Sequence, residues 1–405
     1  MKPMMMALIA VAHLLLLSCS SNPVSPVHRE LTELEKRLVQ SDNTFGFELF
    51  REINRTEPGK NIFISPLSVS MALGMTLNGA AGETRQAMVD LLGFDGLSEE
   101  EINQTYKSLL DLLIQLDPTV VFQIANSIWY DQAFVFEQPF IDRNRQFFDA
   151  EIQGLDFRDP AAVDIINGWV SQHTAGKIEK IIEQIDPEVI MFLLNAIYFK
   201  GGWTTEFDPE NTQNDLFNLP DGSQKSIEMM NRSDTLQYFE SDLFQAVDLP
   251  YGEEAFSMTL LLPKPGVAID SLISNFSTRN WADWSASFST QNVILGLPKF
   301  KLECEMSLNQ VLSTLGMSVA FIPHQADFSK MYTGRDDLYI DEVKHKTFIE
   351  VNEEGTEAAA VTSVGIGVTS VPLSVTMRLD RPFVFMIHEH QSQTILFVGK
   401  LVDPQ

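Results

Sequence analysis

The stretch from Ala358 to Met377, AAAVTSVGIGVTSVPLSVTM, contains no charged residue, although one-fifth of the chain is charged. It follows directly on Glu353-Glu354-Gly355-Thr356-Glu357. Small and β-branched side chains suit a strand, while Gly365, Gly367 and Pro372 are turn punctuation within the same run. The segment is therefore able to exist as an exposed loop and as a buried strand, and any fold has to accommodate it. In a strand, side chains alternate between faces. One face would carry Thr356, Ala358, Ala360, Thr362, Val364 and Ile366, with no charge and nothing larger than isoleucine. The other would carry Glu357, Ala359, Val361, Ser363 and Gly365. A strand with so plain an inner face could slide between two existing strands. Two blander readings stand beside this one: an ordinary hydrophobic strand and a flexible Ala/Gly/Ser linker.

The rest of the chain can build a large core, since 44% of its 405 residues are hydrophobic and 28 are phenylalanine. By length it could be two domains, though large mixed folds run as one; no Pro/Ser-rich or charge-block linker divides it and no repeat of helical-array length occurs. The formal charge is −27, from 28 basic and 55 acidic residues. That balance argues against nucleic acid and other polyanions as partners, because phosphate neutralisation needs clustered Lys and Arg.

A coarse pass predicts helices first and strands later, an α+β pattern. Leu31 to Phe50 has apolar residues at helical spacing. Asn61 to Ile64 reads as a short strand, and Ser65-Pro66 opens a helix to about Leu77. Glu83–Leu92, Glu99–Gln115, Phe140–Phe148, Asp164–His173 and Lys177–Ile182 read as helical. Val120–Trp129 reads as strand. The apolar run Val189 to Phe199 suits a central strand covered on both faces. Phe256–Leu262, Val293–Leu297, Lys346–Val351, Phe383–His388 and Ile395–Lys400 read as further strands. Cys304, on an alternating strand, reads as a buried small hydrophobe.

Catalytic patterns are missing. The chain has no Gly-x-Ser-x-Gly elbow, no Walker loop and no His-Glu-x-x-His. Gly365-x-Gly367 lacks the third glycine and following helix of a dinucleotide fingerprint. His388-Glu389-His390 puts two imidazoles on one strand face, but no third ligand is evident in the sequence, so no metal and no cofactor is expected. His345 alternates with Thr347, Ile349 and Val351 on a strand, where a hydrogen-bonded core histidine is the default.

Several segments together resemble the serpin family: Asn61–Leu77 (NIFISPLSVSMALGMTL), Asn195–Trp203 (NAIYFKGGW), Glu350–Val361 (EVNEEGTEAAAV), Arg381–Phe385, and Phe397-Val398-Gly399-Lys400. They occur in serpin order over nearly all of residues 37–405. The resemblance implies a single domain of three β-sheets and eight or nine α-helices with an exposed reactive-centre loop at about 354–378. It implies a protein that is not an enzyme. A target endopeptidase attacks the loop, and the acyl-enzyme is trapped when the cut loop inserts as a new strand of the central sheet. The hinge would be Glu353, Gly355, Thr356, Ala358, Ala359 and Ala360. Ser65, Ser68, Asn195 and His345 would form a latch, or shutter, under the central strands. Trp203, Lys299 and Glu353 would form the breach at the top, with Lys299 and Glu353 as an ion pair.

In the usual register from Gly355 the attacked bond is Thr369–Ser370. The following segment is about two residues longer than is common, so Val368 and Val371 stand as alternatives. The loop has no basic residue, and small β-branched side chains fit a shallow apolar pocket of elastase or subtilisin type. Permissive cysteine proteases are the second target class. A non-inhibitory serpin acting as a binding or carrier module is the alternative. The segment corresponding to the heparin-binding helix of some serpins, Glu99–Asp117, has one lysine, Lys107, against five acidic residues, so no heparin-type partner is expected, and the protein is expected to be a monomer.

The N-terminus reads as a signal peptide over 1–18: Lys2, then an apolar run from Ala7 to Leu17 broken only by His13. Leu16-Leu17-Ser18-Cys19 resembles a bacterial lipobox, which makes Cys19 the lipidated residue and 19–36 a tether leading into the first helix. A plain secretory signal with an incidental cysteine is the alternative. Ser20 and Ser21 after the cysteine point to the outer membrane or cell surface.

Overall fold

In the computed structural model, which describes residues 29–186, 188–334, 338–356 and 374–404, the chain opens with helix α1 (Glu33–Thr56). Thr32 accepts from the Glu35 amide while the Glu35 carboxylate accepts from the Thr32 amide, a reciprocal cap that fixes where the helix starts. The helical spacing from Leu31 to Phe50, which reads as the opening helices of the domain, is taken up by this single helix. Strand β1 (Ile62–Ile64) leads into α2 (Pro66–Leu77), capped by Ser65 with proline in its first turn. Then come α3 (Gly82–Leu92), α4 (Glu99–Gln115), β2 (Val121–Asp131), α5 (Gln138–Phe148), β3 (Glu151–Leu155), α6 (Ala161–His173) and β4 (Met191–Gly202). Strands β5 (Gln213–Asn218), β6 (Gln224–Glu240), β7 (Phe244–Tyr251) and β8 (Phe256–Pro263) precede α7 (Ile269–Ser274) and α8 (Thr278–Ser285). Strands β9 (Ser289–Pro298) and β10 (Phe300–Ser307), helix α9 (Asn309–Leu312), then β11 (Lys344–Val351), β12 (Gly355–Thr356), β13 (Ser374–Arg378), β14 (Phe383–Glu389) and β15 (Ile395–Leu401) complete the order.

Among the described residues there are nine α-helices, and the strands join into two hydrogen-bonded networks. One is six-stranded, β10-β11-β12-β4-β2-β3. The other runs β1-β15-β14-β8-β7-β6-β9-β13, with β5 paired to β6. The sequence resemblance implied three sheets. Two of them are continuous here because β6 is long enough to pair with β5 and β9 along most of its length and with β7 at its end.

β4 separates two cores. Leu194 and Ala196 join the cluster under α6, with Trp129, Ile166 and Trp169, whereas Ile197 and Phe199 join the main core. This is the both-faces cover expected for an unbroken apolar run. Lys177–Ile182 is not helical. The side chain of Asn167 accepts from the amides of Ile181 and Ile182 and donates to the Ile182 carbonyl. A side chain thus satisfies backbone groups that a helix would pair internally, which accounts for the difference. Cys304 is free and buried, and burial pushes its thiol up to about 11. No helix among the described residues is long and apolar enough to cross a membrane.

Candidate functional site

The six-stranded sheet is unusual at its centre. Among the described residues, β11 and β4 are joined only through the two residues of β12, which pairs antiparallel with both. Thr356 lies opposite Val351 on one side and Gly201 on the other.

A tight turn delivers the chain to this place. The Asn352 side-chain oxygen accepts from the amides of Glu354 (3.0 Å) and Gly355 (3.1 Å), and the Asn352 amide donates to the Gly355 carbonyl (3.0 Å). Such side-chain turns are what asparagine does locally. Gly355 has φ +154°, and a Cβ there would overlap the carbonyl of Gly201 and sit 2.7 Å from Cα of Gly202. Only glycine fits so close a backbone approach. Thr356 is buried, and its hydroxyl shares a 2.6 Å hydrogen bond with the Tyr251 hydroxyl. Burial raises the Tyr251 phenol far above its ordinary range, so it stays neutral.

Trp203 stacks on Tyr251 at 4.5 Å between ring centres. Its indole N–H donates to the Asn352 carbonyl (3.0 Å) and its amide to the Glu354 carbonyl (2.9 Å). Glu353 sits beside it: its carbonyl accepts from the Phe207 amide, and its carboxylate accepts from the Thr212 hydroxyl (2.7 Å) and lies 3.3 Å from Lys299 Nζ. Burial alone would raise this carboxyl, but the Thr212 hydroxyl, its own backbone amide and Lys299 together hold it below the usual range. The structure thus brings Trp203, Lys299, Glu353, Gly355 and Thr356 into one cluster, with the ion pair formed.

Lower in the same sheet, the Ser65 amide donates to His345 Nε2 (3.0 Å), the Ser65 hydroxyl donates to the Leu396 carbonyl (2.7 Å), and the Ser68 amide donates to the Ser65 hydroxyl (3.3 Å). Part of this is helix capping, which any fold with this helix would need. The bond from the Ser65 amide to His345 ties α2 to β11. Burial holds His345 down at about 4, so it is a neutral acceptor at ordinary pH. Asn195 is not bonded to that group; it donates to Asn126 across the β2–β4 ladder (2.7 Å), and Asn126 donates to the Phe148 carbonyl. Yet β11 and β4 both run antiparallel to β12, so they are parallel to each other. His345 and Asn195 each lie six residues before the partner of Thr356, and so stand at the same level on either side of the sheet's centre.

Ala358, Ala359 and Ala360, the bond Thr369–Ser370 with its alternatives Val368 and Val371, and Cys19 lie outside the described residues. The span 354–378 is strand at both ends. Gly355–Thr356 is already in the sheet because Asn352 turns it there, and Ser374–Arg378 pairs parallel to β9. Sequence reasoning missed Asn352, Tyr251, Thr212 and the close glycines Gly201 and Gly202. Of these, Asn352 three residues before Gly355 carries a turn signal that could have been used.

A sheet whose central strands β11 and β4 meet, among the described residues, only through a two-residue strand delivered by a tight turn sets this fold apart from an evenly paired sheet. The family model for serpins (serine protease inhibitors) matches residues 40–404, and the chain belongs to the serpin family. It is 33% identical to human antithrombin-III over 93% of this chain and 83% of that protein. Tengpin, a thermophilic serpin in its native state, superposes with a TM-score of 0.83 at 34% identity, covering 94% of this chain and 97% of that one. Human thyroxine-binding globulin, in complex with its hormone, superposes at 0.84 with 28% identity, covering 92% and 100%. Members of the family are inhibitors or binding proteins, so the chain is not an enzyme.

Proposed function

We propose that this serpin is a suicide-type inhibitor of serine endopeptidases of elastase or subtilisin type, with permissive cysteine endopeptidases as a second target class. The observation that carries the reading is the seat of Thr356. The first inward-facing hinge residue already lies between β11 and β4, and Ala358 and Ala360 continue the same uncharged face in sequence. Inserting roughly ten more residues at about 0.5–1.5 kcal/mol each would release on the order of 5–15 kcal/mol. That is comparable with the stability of a whole domain and is enough to deform an attached protease.

A carrier role has a representative in thyroxine-binding globulin, but a carrier has no need of a bulk-free, charge-free hinge. Loop cleavage separates the two. The cut inhibitor should melt at a much higher temperature as the new strand completes the sheet, while an unchanged melting temperature excludes the mechanism. The direct test mixes the protein with elastase and with subtilisin and examines a denaturing gel. A band at the summed mass supports trapping, and mass spectrometry of the released peptide fixes the bond among Val368, Thr369, Ser370 and Val371. The anchor belongs to the same proposal: lipid on Cys19 would place the inhibitor on a bacterial membrane facing outward. Cys19→Ser should then shift it from the membrane fraction to the soluble one.

A further inference from the structure

The two imidazoles of His388 and His390 acquire in three dimensions the partner that the sequence did not reveal. β7, β8 and β14 are consecutive in the larger sheet, with Asp248 opposite Thr259 and His388 opposite Ser257. This register brings the Asp248 carboxylate to both rings: Oδ1 lies 3.3 Å from His388 Nε2, and Oδ2 lies 3.1 Å from His390 Nε2. One donor atom from each of the three residues lies within 4.8 Å of the others. From the geometry of this cluster we propose that Asp248, His388 and His390 form a binding site for a divalent transition metal of the zinc class.

Four features support the assignment. The donor set, two imidazole nitrogens and one carboxylate, is one that zinc takes with further positions left open. Each ring nitrogen lies 3.1–3.3 Å from one Asp248 oxygen, close to the separation of about 3.3 Å that bonds of about 2.0–2.1 Å at a tetrahedral centre put between neighbouring donors, and the three donors together lie within 4.8 Å. Asp248 is mostly buried, and no Lys or Arg among the described residues pairs with it, so a bound cation would supply the permanent positive charge it lacks. Finally, there is an entry path: the His390 side chain is 38% exposed, against 5% for His388.

The surroundings hold the ligands in place. The Thr259 hydroxyl donates to Asp248 Oδ1 (2.6 Å) and lies 2.8 Å from His388 Nε2. The His390 amide donates to the Ala255 carbonyl. Glu389, between the two histidines, points the other way and accepts from Gln391 and Ser392, which fixes the turn that carries His390. The indole of Trp281 lies edge-on to His388 at 5.2 Å. A metal here would bond β7 to the β14–β15 turn. It would bind through Nε2 of each ring, and a proton now on that nitrogen would leave to solvent or move to Nδ1. The site lies in the other sheet from the hinge, and its test does not depend on the inhibitory reading.

The experiment titrates Zn²⁺ into the chelator-treated protein by calorimetry and repeats the titration on His390→Gln. That exposed substitution should fold as the parent does, which its metal-free melting curve checks. Expected are about one equivalent of zinc per chain at micromolar affinity, a rise in melting temperature of about 2–5 °C with zinc, and loss of both in the variant. Co²⁺ should give the visible absorption of a low-symmetry nitrogen–oxygen site, absent in His390→Gln. No uptake at micromolar zinc, or equal uptake by parent and variant, overturns the proposal.

Discussion

The two sheets of this molecule are built for different ends. In the larger one, every residue of β8, β14 and β15 is buried, and Phe63 stacks on Phe385 and Phe397 at 5.6 and 5.1 Å between ring centres. In the smaller one, β11 alternates buried and half-buried residues, and the centre is bridged by two residues of β12. One sheet is closely packed across its middle strands, and the other is joined at its centre by two residues among those described. The difference teaches where stability and change would be divided in this fold: the closely packed sheet holds the molecule together, and the proposed mechanism draws on the sparsely joined one.

The substitution that breaks this contrast most severely is Thr356→Arg. The uncut chain can relieve a guanidinium there by leaving its two-residue seat, whereas insertion would force it between the strands without a partner at a cost of several kcal/mol, so the yield of covalent complex should fall more than about 100-fold. Cleavage should continue, as read from the ratio of complex to cut protein on a denaturing gel. An undiminished complex band would remove Thr356 from the inserting face. Phe385→Ala addresses the closely packed sheet. It should lower stability by about 3–5 kcal/mol in urea unfolding while leaving the stoichiometry of inhibition near that of the parent.

A third test lies between the two sheets, at His345. Its folded-state value is held to about 4 by burial, against about 6.5 in an unfolded chain. Between these values the unfolded state binds the proton and the folded state does not. The stabilisation is therefore fully present above about pH 6.5 and is lost as pH falls towards 4, on the order of 3 kcal/mol in total. His345→Gln should flatten this part of the stability profile, and an unchanged profile would mean that His345 is not what titrates. The smallest effect is expected at the breach: Glu353→Gln weakens a partly exposed ion pair with Lys299 and should cost less than about 1 kcal/mol in thermal unfolding.

Much of this was legible in the residues themselves. The placement of Gly355 and Thr356 could be read in part because its requirement is local: a glycine where two backbones close in, then a small side chain that can be buried. Ser65-Pro66 announced a capped helix for the same reason. What could not be read depends on register between distant strands. Asp248 meets His388 and His390 only because β7 and β14 flank β8 with a particular offset, and nothing in the sequence around position 248 signals it. Tyr251 is in the same position with respect to Thr356, a residue over a hundred positions away. Lys177–Ile182 was misread because one buried side chain, Asn167, overrides local helical preference.

The parallel pairing of β13 with β9 has a consequence for the topology of the chain. From Thr356 to Ser374 the polypeptide is a closed circuit, clamped to one sheet at its start and to the other at its end. While it is closed, every residue drawn into the smaller sheet must be given up from a fixed length of chain. Hydrolysis of any peptide bond in that circuit removes the constraint without altering a single contact in the two clamps. In the proposed mechanism a chemical step worth little in itself would thereby act as a one-way gate, turning a tethered segment into a free end for the smaller sheet to take up.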